Sequence, residues 1–118
     1  RYGAHTDYMG FTLLRADPMI AGLEVLFPDG NWIEVPPISG NAIIINSGDL
    51  IKRWTNDVWN SALHRVKTTS IKTRLSLVFF TGPRDDAVVE TLSINGSPHY
   101  APVKVKDHLN EKIQATNV

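Results

Sequence analysis

His5-Thr6-Asp7 sets an imidazole and a carboxylate two residues apart, a spacing that in extended backbone projects both side chains to one side. A ring nitrogen and a carboxylate oxygen that converge in this way can ligate one metal ion. Taken alone, the pair reads as well as an ordinary surface loop. Far downstream, His64 stands in the apolar run Ala62-Leu63-His64-Arg65-Val66, where by itself it reads as a hydrogen-bonded core histidine. Added to the first pair, it completes two imidazoles and one carboxylate, the set that covers half an octahedron around Fe(II) and leaves three positions open. Open positions point to catalysis, because a chelating cosubstrate and dioxygen can bind side by side.

Arg74-Leu75-Ser76 is the third element. A guanidinium fork clamps a carboxylate through two bonds, and a serine hydroxyl on the same strand face adds another. Leu75, Leu77, Val78, Phe79 and Phe80 make this a central strand, in which an uncompensated arginine is costly. The arginine therefore asks for an anion. Tyr8 and Phe11, just after the metal pair, and Phe80, on the face of Arg74 and Ser76, are candidate walls of a substrate pocket, and each reads equally as packing. Asn46 reads as a supporting residue, His99 and His108 as solvated, and Trp54 and Trp59 as packing.

These residues need a scaffold of strands. Short apolar segments separated by turn residues predict strands at Phe11–Leu14, Leu23–Phe27, Trp32–Val35, Ala42–Asn46, Leu50–Trp54, Ala62–Lys67, Thr73–Phe80 and Ala87–Leu92. Pro28-Asp29-Gly30-Asn31 closes a hairpin, and the β-branched run Ala42–Asn46 is expected to be buried on both faces. Val105, Leu109, Ile113 and Thr116 recur at four and three residues, an amphipathic helical stripe. An all-β core of the jelly-roll kind with a C-terminal α-helix follows. In the strand through Arg74, a polar inner face leaves Leu75, Leu77 and Phe79 on the outside, in need of a roof.

Composition narrows the chemistry. Twelve basic and twelve acidic residues in 118 give zero net charge, without the basic footprint of a nucleic-acid binder or a partner for anionic membranes. The absence of cysteine excludes disulfides, zinc fingers, iron–sulfur clusters and thiolate catalysis. Any metal must be held by nitrogen and oxygen. No apolar run approaches the length of a membrane span and no signal peptide opens the chain, so a cytoplasmic setting is expected.

His5-x-Asp7, His64 and Arg74-x-Ser76, with Gly22-Leu23-Glu24-Val25, Asn31-Trp32-Ile33-Glu34-Val35-Pro36, Asn46-x-Gly48-Asp49 and His64-Arg65-Val66, closely resemble the catalytic domain of the 2-oxoglutarate- and Fe(II)-dependent oxygenases of the isopenicillin N synthase-like superfamily. The resemblance runs to about Pro83. It implies a double-stranded β-helix core, Fe(II) held by His5, Asp7 and His64, and the distal carboxylate of 2-oxoglutarate held by Arg74 and Ser76. It also implies a reaction with O2: decarboxylation of 2-oxoglutarate to succinate, coupled to oxidation of a small molecule, usually hydroxylation. A tyrosine that contacts the 2-oxoglutarate carboxylate in many members would precede Arg1, and Tyr2 is too near His5 to be its counterpart. The resemblance divides the chain into an oxygenase domain over 1–92, lacking its N-terminal part, and a C-terminal extension over 93–118. Such a barrel is expected to pair its edges with the missing N-terminal region or with a second copy. Two alternatives remain: an Fe(II) oxidase of the same superfamily that uses no 2-oxoglutarate, and a non-catalytic jelly-roll binding module.

Overall fold

The computed structural model describes residues 2–67 and 73–116. The β-rich runs form β1 (Tyr2–His5), β2 (Phe11–Arg15), β3 (Leu23–Leu26), β4 (Trp32–Glu34), β5 (Ile44–Ser47), β6 (His64–Val66), β7 (Leu77–Phe80), β8 (Val88–Val89) and β9 (Val103–Lys104). Two helices join them, α1 (Asp49–Trp54) and α2 (Val105–Thr116). Strand pairing is antiparallel throughout these elements, in the orders β1-β6-β3-β4, β5-β2-β7 and β8-β9. This is the jelly-roll architecture anticipated above, with a C-terminal helix.

The first two sheets bring their inner faces to one place. In the four-stranded sheet His5 is the cross-strand partner of His64, and His64 of Val25. In the three-stranded sheet Thr12 stands opposite both Asn46 and Phe80, so these three side chains share a face. The outer faces differ. On the four-stranded sheet Glu24 binds Arg65 at 2.6 Å and Lys67 at 2.8 Å, and the Arg65 guanidinium lies 3.8 Å above the Trp32 ring. On the three-stranded sheet Ile45 and Phe79 flank Leu13, and Ile45, Leu77 and Phe79 are 63%, 72% and 65% exposed.

Several expectations change. Leu50–Trp54 is a helix, not a strand. Its first N–H groups have no side-chain cap and are instead satisfied by carbonyls of residues 7–10, so tertiary docking overrides the β character of the segment. Ala42–Asn46 is not buried on both faces, since Ile43 and Ile45 lie in the open. The strand over Thr73–Phe80 begins only at Leu77, which leaves Arg74 and Ser76 on its lead-in. The hairpin at 28–31 forms as expected, with Gly30 at φ +84°, a conformation only glycine adopts without strain. Strands β1 and β9 carry no sequence signal of their own.

Leu50, Val89 and Val105 make a small core between α1, β8 and α2. Behind α1, Asn56 is fully buried and ties the turn after that helix to residues 95–99, while Asp57 accepts bonds from the His99 ring at 2.8 Å and the Tyr100 hydroxyl at 2.6 Å. His99 is 55% exposed, solvated as expected, and its ring is hydrogen-bonded to Asp57. The radius of gyration is 15.8 Å, against about 13.5 Å for a compact domain of this length. The difference reflects an elongated body of 46 × 32 × 28 Å.

Candidate metal centre

His5 ends β1, Asp7 follows in the turn, and His64 opens β6 beside His5. One ligand atom from each lies within 4.8 Å of the others. The geometry is directed. Nε2 of His5 and Nε2 of His64 are each 3.8 Å from the same oxygen, Oδ1 of Asp7. The opposite ring nitrogens are occupied: Nδ1–H of His5 donates to the Gly3 carbonyl at 2.7 Å, and Nδ1–H of His64 to that of Ala62 at 2.8 Å. Those bonds orient each ring and turn its Nε2 toward Asp7 Oδ1. Asp7 is 7% exposed, and its second oxygen accepts from the Thr12 hydroxyl at 2.5 Å and the Asn46 amide at 2.8 Å. The carboxylate is thus held at one end and presented at the other.

The turn that carries Asp7 is bonded at four successive carbonyls. Asp7 O accepts from Asp49 N at 2.8 Å, Tyr8 O from His108 Nε2 at 2.8 Å, Met9 O from Leu50 N at 3.1 Å and Gly10 O from Gly48 N at 2.8 Å. The approach demands glycine at position 48, where a Cβ would stand 2.6 Å from Met9 O and 2.8 Å from Asp7 O. Asp49 lies beneath the turn. Burial pushes its carboxyl up, but Lys112, Ser61 and Thr6 outweigh that and hold it below the usual aspartate value.

These donors fit Fe(II): two nitrogens and one carboxylate oxygen converge, with the outer atoms already bonded. At the carboxylate-clamp pair, Ser76 Oγ is buried and has no hydrogen-bond partner among the described residues, while Arg74 Nε–H makes a long 3.3 Å bond to the Ile20 carbonyl. A buried hydroxyl left without a partner is what an absent oxygen-rich ligand would satisfy.

The pocket residues separate. Phe80 pairs with Thr12 and so lies on the metal-facing side. The alternation that turns Thr12 onto Asp7 turns Phe11 to the other face, edge-on to Trp59 at 5.9 Å. The Tyr8 hydroxyl meets Thr116 on α2 at 2.5 Å. An apolar cavity of about 480 Å³, lined by Leu50, Ile51, Trp54, Pro83, Val88 and Leu92 among others, includes no member of the triad. Sequence reasoning missed Thr12, a threonine inside a strand with no distinguishing neighbour, and His108, which is 4% exposed rather than solvated. Asn46 was legible as a support through the string Asn46-x-Gly48-Asp49.

A model of the 2OG-Fe(II) oxygenase superfamily matches residues 1–83. Homoarginine-6-hydroxylase 2-ODD-233 of Oryza sativa subsp. japonica is 38% identical over 116 residues, covering 94% of this chain and 35% of that protein. 1-Aminocyclopropane-1-carboxylate oxidase 1 of Cucumis melo is 46% identical over 87 residues, 73% of this chain and 27% of that one. A full-length Neurospora crassa protein, crystallised in complex with α-ketoglutarate, superposes with a TM-score of 0.88 at 32% identity over 98% of this chain and 37% of its own. The chain spans about a third of the length of the proteins it matches.

Proposed function

Because this chain belongs to the 2-oxoglutarate- and Fe(II)-dependent oxygenase superfamily, we propose that it carries the iron and 2-oxoglutarate sites of a dioxygenase that oxidises, most simply hydroxylates, a small molecule. The observation that carries this reading is the pair of Nε2 atoms facing one oxygen of Asp7, each ring fixed from behind. His5, Asp7 and His64 hold Fe(II). Fe(II) held there would supply activation of O2 for the decarboxylation of 2-oxoglutarate to succinate and CO2, coupled to oxidation of the substrate.

The chain's own residues do the positioning. Thr12 and Asn46 hold Asp7 in place by donating to Oδ2, so that Oδ1 faces the metal position. Arg74 offers its terminal nitrogens to the distal carboxylate of 2-oxoglutarate, and Ser76 gives that carboxylate its buried hydroxyl. Phe80, opposite Thr12 and 62% exposed on that face, offers an apolar surface beside the reacting centre for a substrate to cover. Substrate choice belongs to loops and to whatever else covers this face.

The match to an oxidase of 1-aminocyclopropane-1-carboxylate favours a second reading, in which Arg74 and Ser76 hold a carboxylate other than that of 2-oxoglutarate. Stoichiometric succinate release, dependent on Fe(II) and on Asp7, is expected of the full-length protein. Substrate oxidation without succinate overturns the first reading in favour of the second.

A further inference from the structure

Helix α2 has a face that its apolar periodicity does not reveal. Val105, His108, Lys112 and Thr116 follow at spacings of three and four and therefore line one side. Val105 is fully buried against Leu50 and Val89. His108 donates to the Tyr8 carbonyl at 2.8 Å, Lys112 Nζ lies 2.8 Å from Asp49 Oδ2, and the Thr116 hydroxyl meets that of Tyr8. The same Asp49 oxygen accepts from the Thr6 hydroxyl at 3.1 Å. Meanwhile Ile113, expected on the docking stripe, is 44% exposed. The helix spends its packing face on polar contacts, and all three land on residues that flank Asp7 or on the Asp49 whose N–H holds the Asp7 carbonyl.

We propose that α2 is a polar clamp on the metal turn, with His108 and Lys112 as positioning residues for Asp7. Of the four carbonyls bonded across residues 7–10, three are held by backbone N–H groups of residues 48–50 and the fourth, that of Tyr8, by the His108 side chain. Removing that donor leaves the turn held from one side. Lys112 acts one step further out. Asp49 is 12% exposed, and without its counter-charge a nearly buried carboxylate moves toward water and carries with it the Thr6 hydroxyl that donates to it. The clamp rests on the triad being a metal centre.

The test uses the full-length protein with Co(II) as probe, read by its d–d absorption, alongside thermal melting of the metal-free protein. His108→Leu and Lys112→Met are each expected to weaken Co(II) binding by about tenfold and to alter the d–d spectrum. His108→Gln and Lys112→Arg, which keep a donor, are expected to return binding to within about twofold of the parent. Lower melting temperatures with unchanged Co(II) affinity and spectrum would reduce α2 to packing and overturn the clamp, as would rescue failing for both conservative variants. Lys112 is 38% exposed, so its variants report even if those of His108 do not fold. A parent that binds no Co(II) overturns the metal reading and the clamp with it, whereas a binding parent with indifferent variants sinks the clamp alone.

Discussion

The proposed metal end of this site, at His5, Asp7 and His64, and its proposed carboxylate end, at Arg74 and Ser76, are built on opposite plans. At the metal end the groups behind the ligands are already bonded: both Nδ1 atoms, the second oxygen of Asp7 and the carbonyls of the turn. At the carboxylate end Ser76 holds a buried hydroxyl with no partner among the described residues, and Arg74 makes a long 3.3 Å bond to the Ile20 carbonyl. An ion that stays through many turnovers gains from a rigid socket, since the ordering cost falls once, on folding. A cosubstrate consumed at each turnover must enter and leave, and a site completed by the ligand itself gives specificity without trapping the product.

The contrast predicts which property each substitution damages. Asp7→Ala is expected to have the largest effect, abolishing Co(II) or Fe(II) binding and succinate formation together; a variant that titrated Co(II) like the parent would remove Asp7 from the site. Next, Arg74→Ala should raise the KM for 2-oxoglutarate about a hundredfold or more with metal affinity unchanged, because a bidentate charge pair is lost. If iron binding fell in step, the two ends would not be separable. Asn46→Ala removes one of two donors to Asp7 Oδ2 and should weaken Co(II) binding about tenfold while leaving the KM for 2-oxoglutarate alone.

Ser76→Ala gives the sharpest opposition of sign. A buried hydroxyl without a partner costs about 1–3 kcal/mol, so this variant should melt no lower than the parent, and slightly higher, in the absence of ligand. It should nevertheless bind 2-oxoglutarate several-fold more weakly. Loss of ligand-free stability would show that the hydroxyl is satisfied in the protein and that the carboxylate end is prebuilt after all. The smallest effect is expected away from both ends. The Tyr100 hydroxyl, then the His99 ring, hold Asp57 below the ordinary aspartate value of 3.8. A lowered folded value means that its contribution to stability is complete above pH 3.8 and disappears as pH falls through the folded value. Asp57→Asn should therefore melt slightly below the parent at neutral pH and converge with it in strong acid, with Co(II) and 2-oxoglutarate binding untouched throughout.

How much of this could be read without coordinates depended on where the information lies. The convergence of His5, Asp7 and His64 was legible because ligand chemistry restricts residue type, while Arg74-x-Ser76 stood out as an arginine among apolar neighbours, its role in holding a carboxylate resting on the proposal above. The jelly roll was legible from the cadence of apolar runs and turns. Leu50–Trp54 was misread as a strand because a short apolar run has no period of its own, and the winning interaction was long-range: Gly48, Asp49 and Leu50 donating to carbonyls of the turn that carries Asp7. His108 was misread for a related reason. Its burial depends on Tyr8 O, a backbone atom a hundred positions away, and a backbone acceptor leaves no trace in residue type. The stripe through Leu109 and Ile113 obeyed the apolar rule but lost to polar contacts lying on the adjacent face.

The two outer walls described above make the molecule an amphiphile in its own right. The wall bearing Glu24, Arg65 and Lys67 is wet, and the wall bearing Ile45, Leu77 and Phe79 is oily, with His5, Asp7 and His64 between them. At an oil–water or air–water boundary such a body adsorbs in one orientation, its oily wall out of the water. Phenyl resins and apolar surfaces should accordingly capture this chain, taken by itself, by the three-stranded sheet, and Leu77→Glu or Phe79→Glu should release it without touching His5, Asp7 or His64.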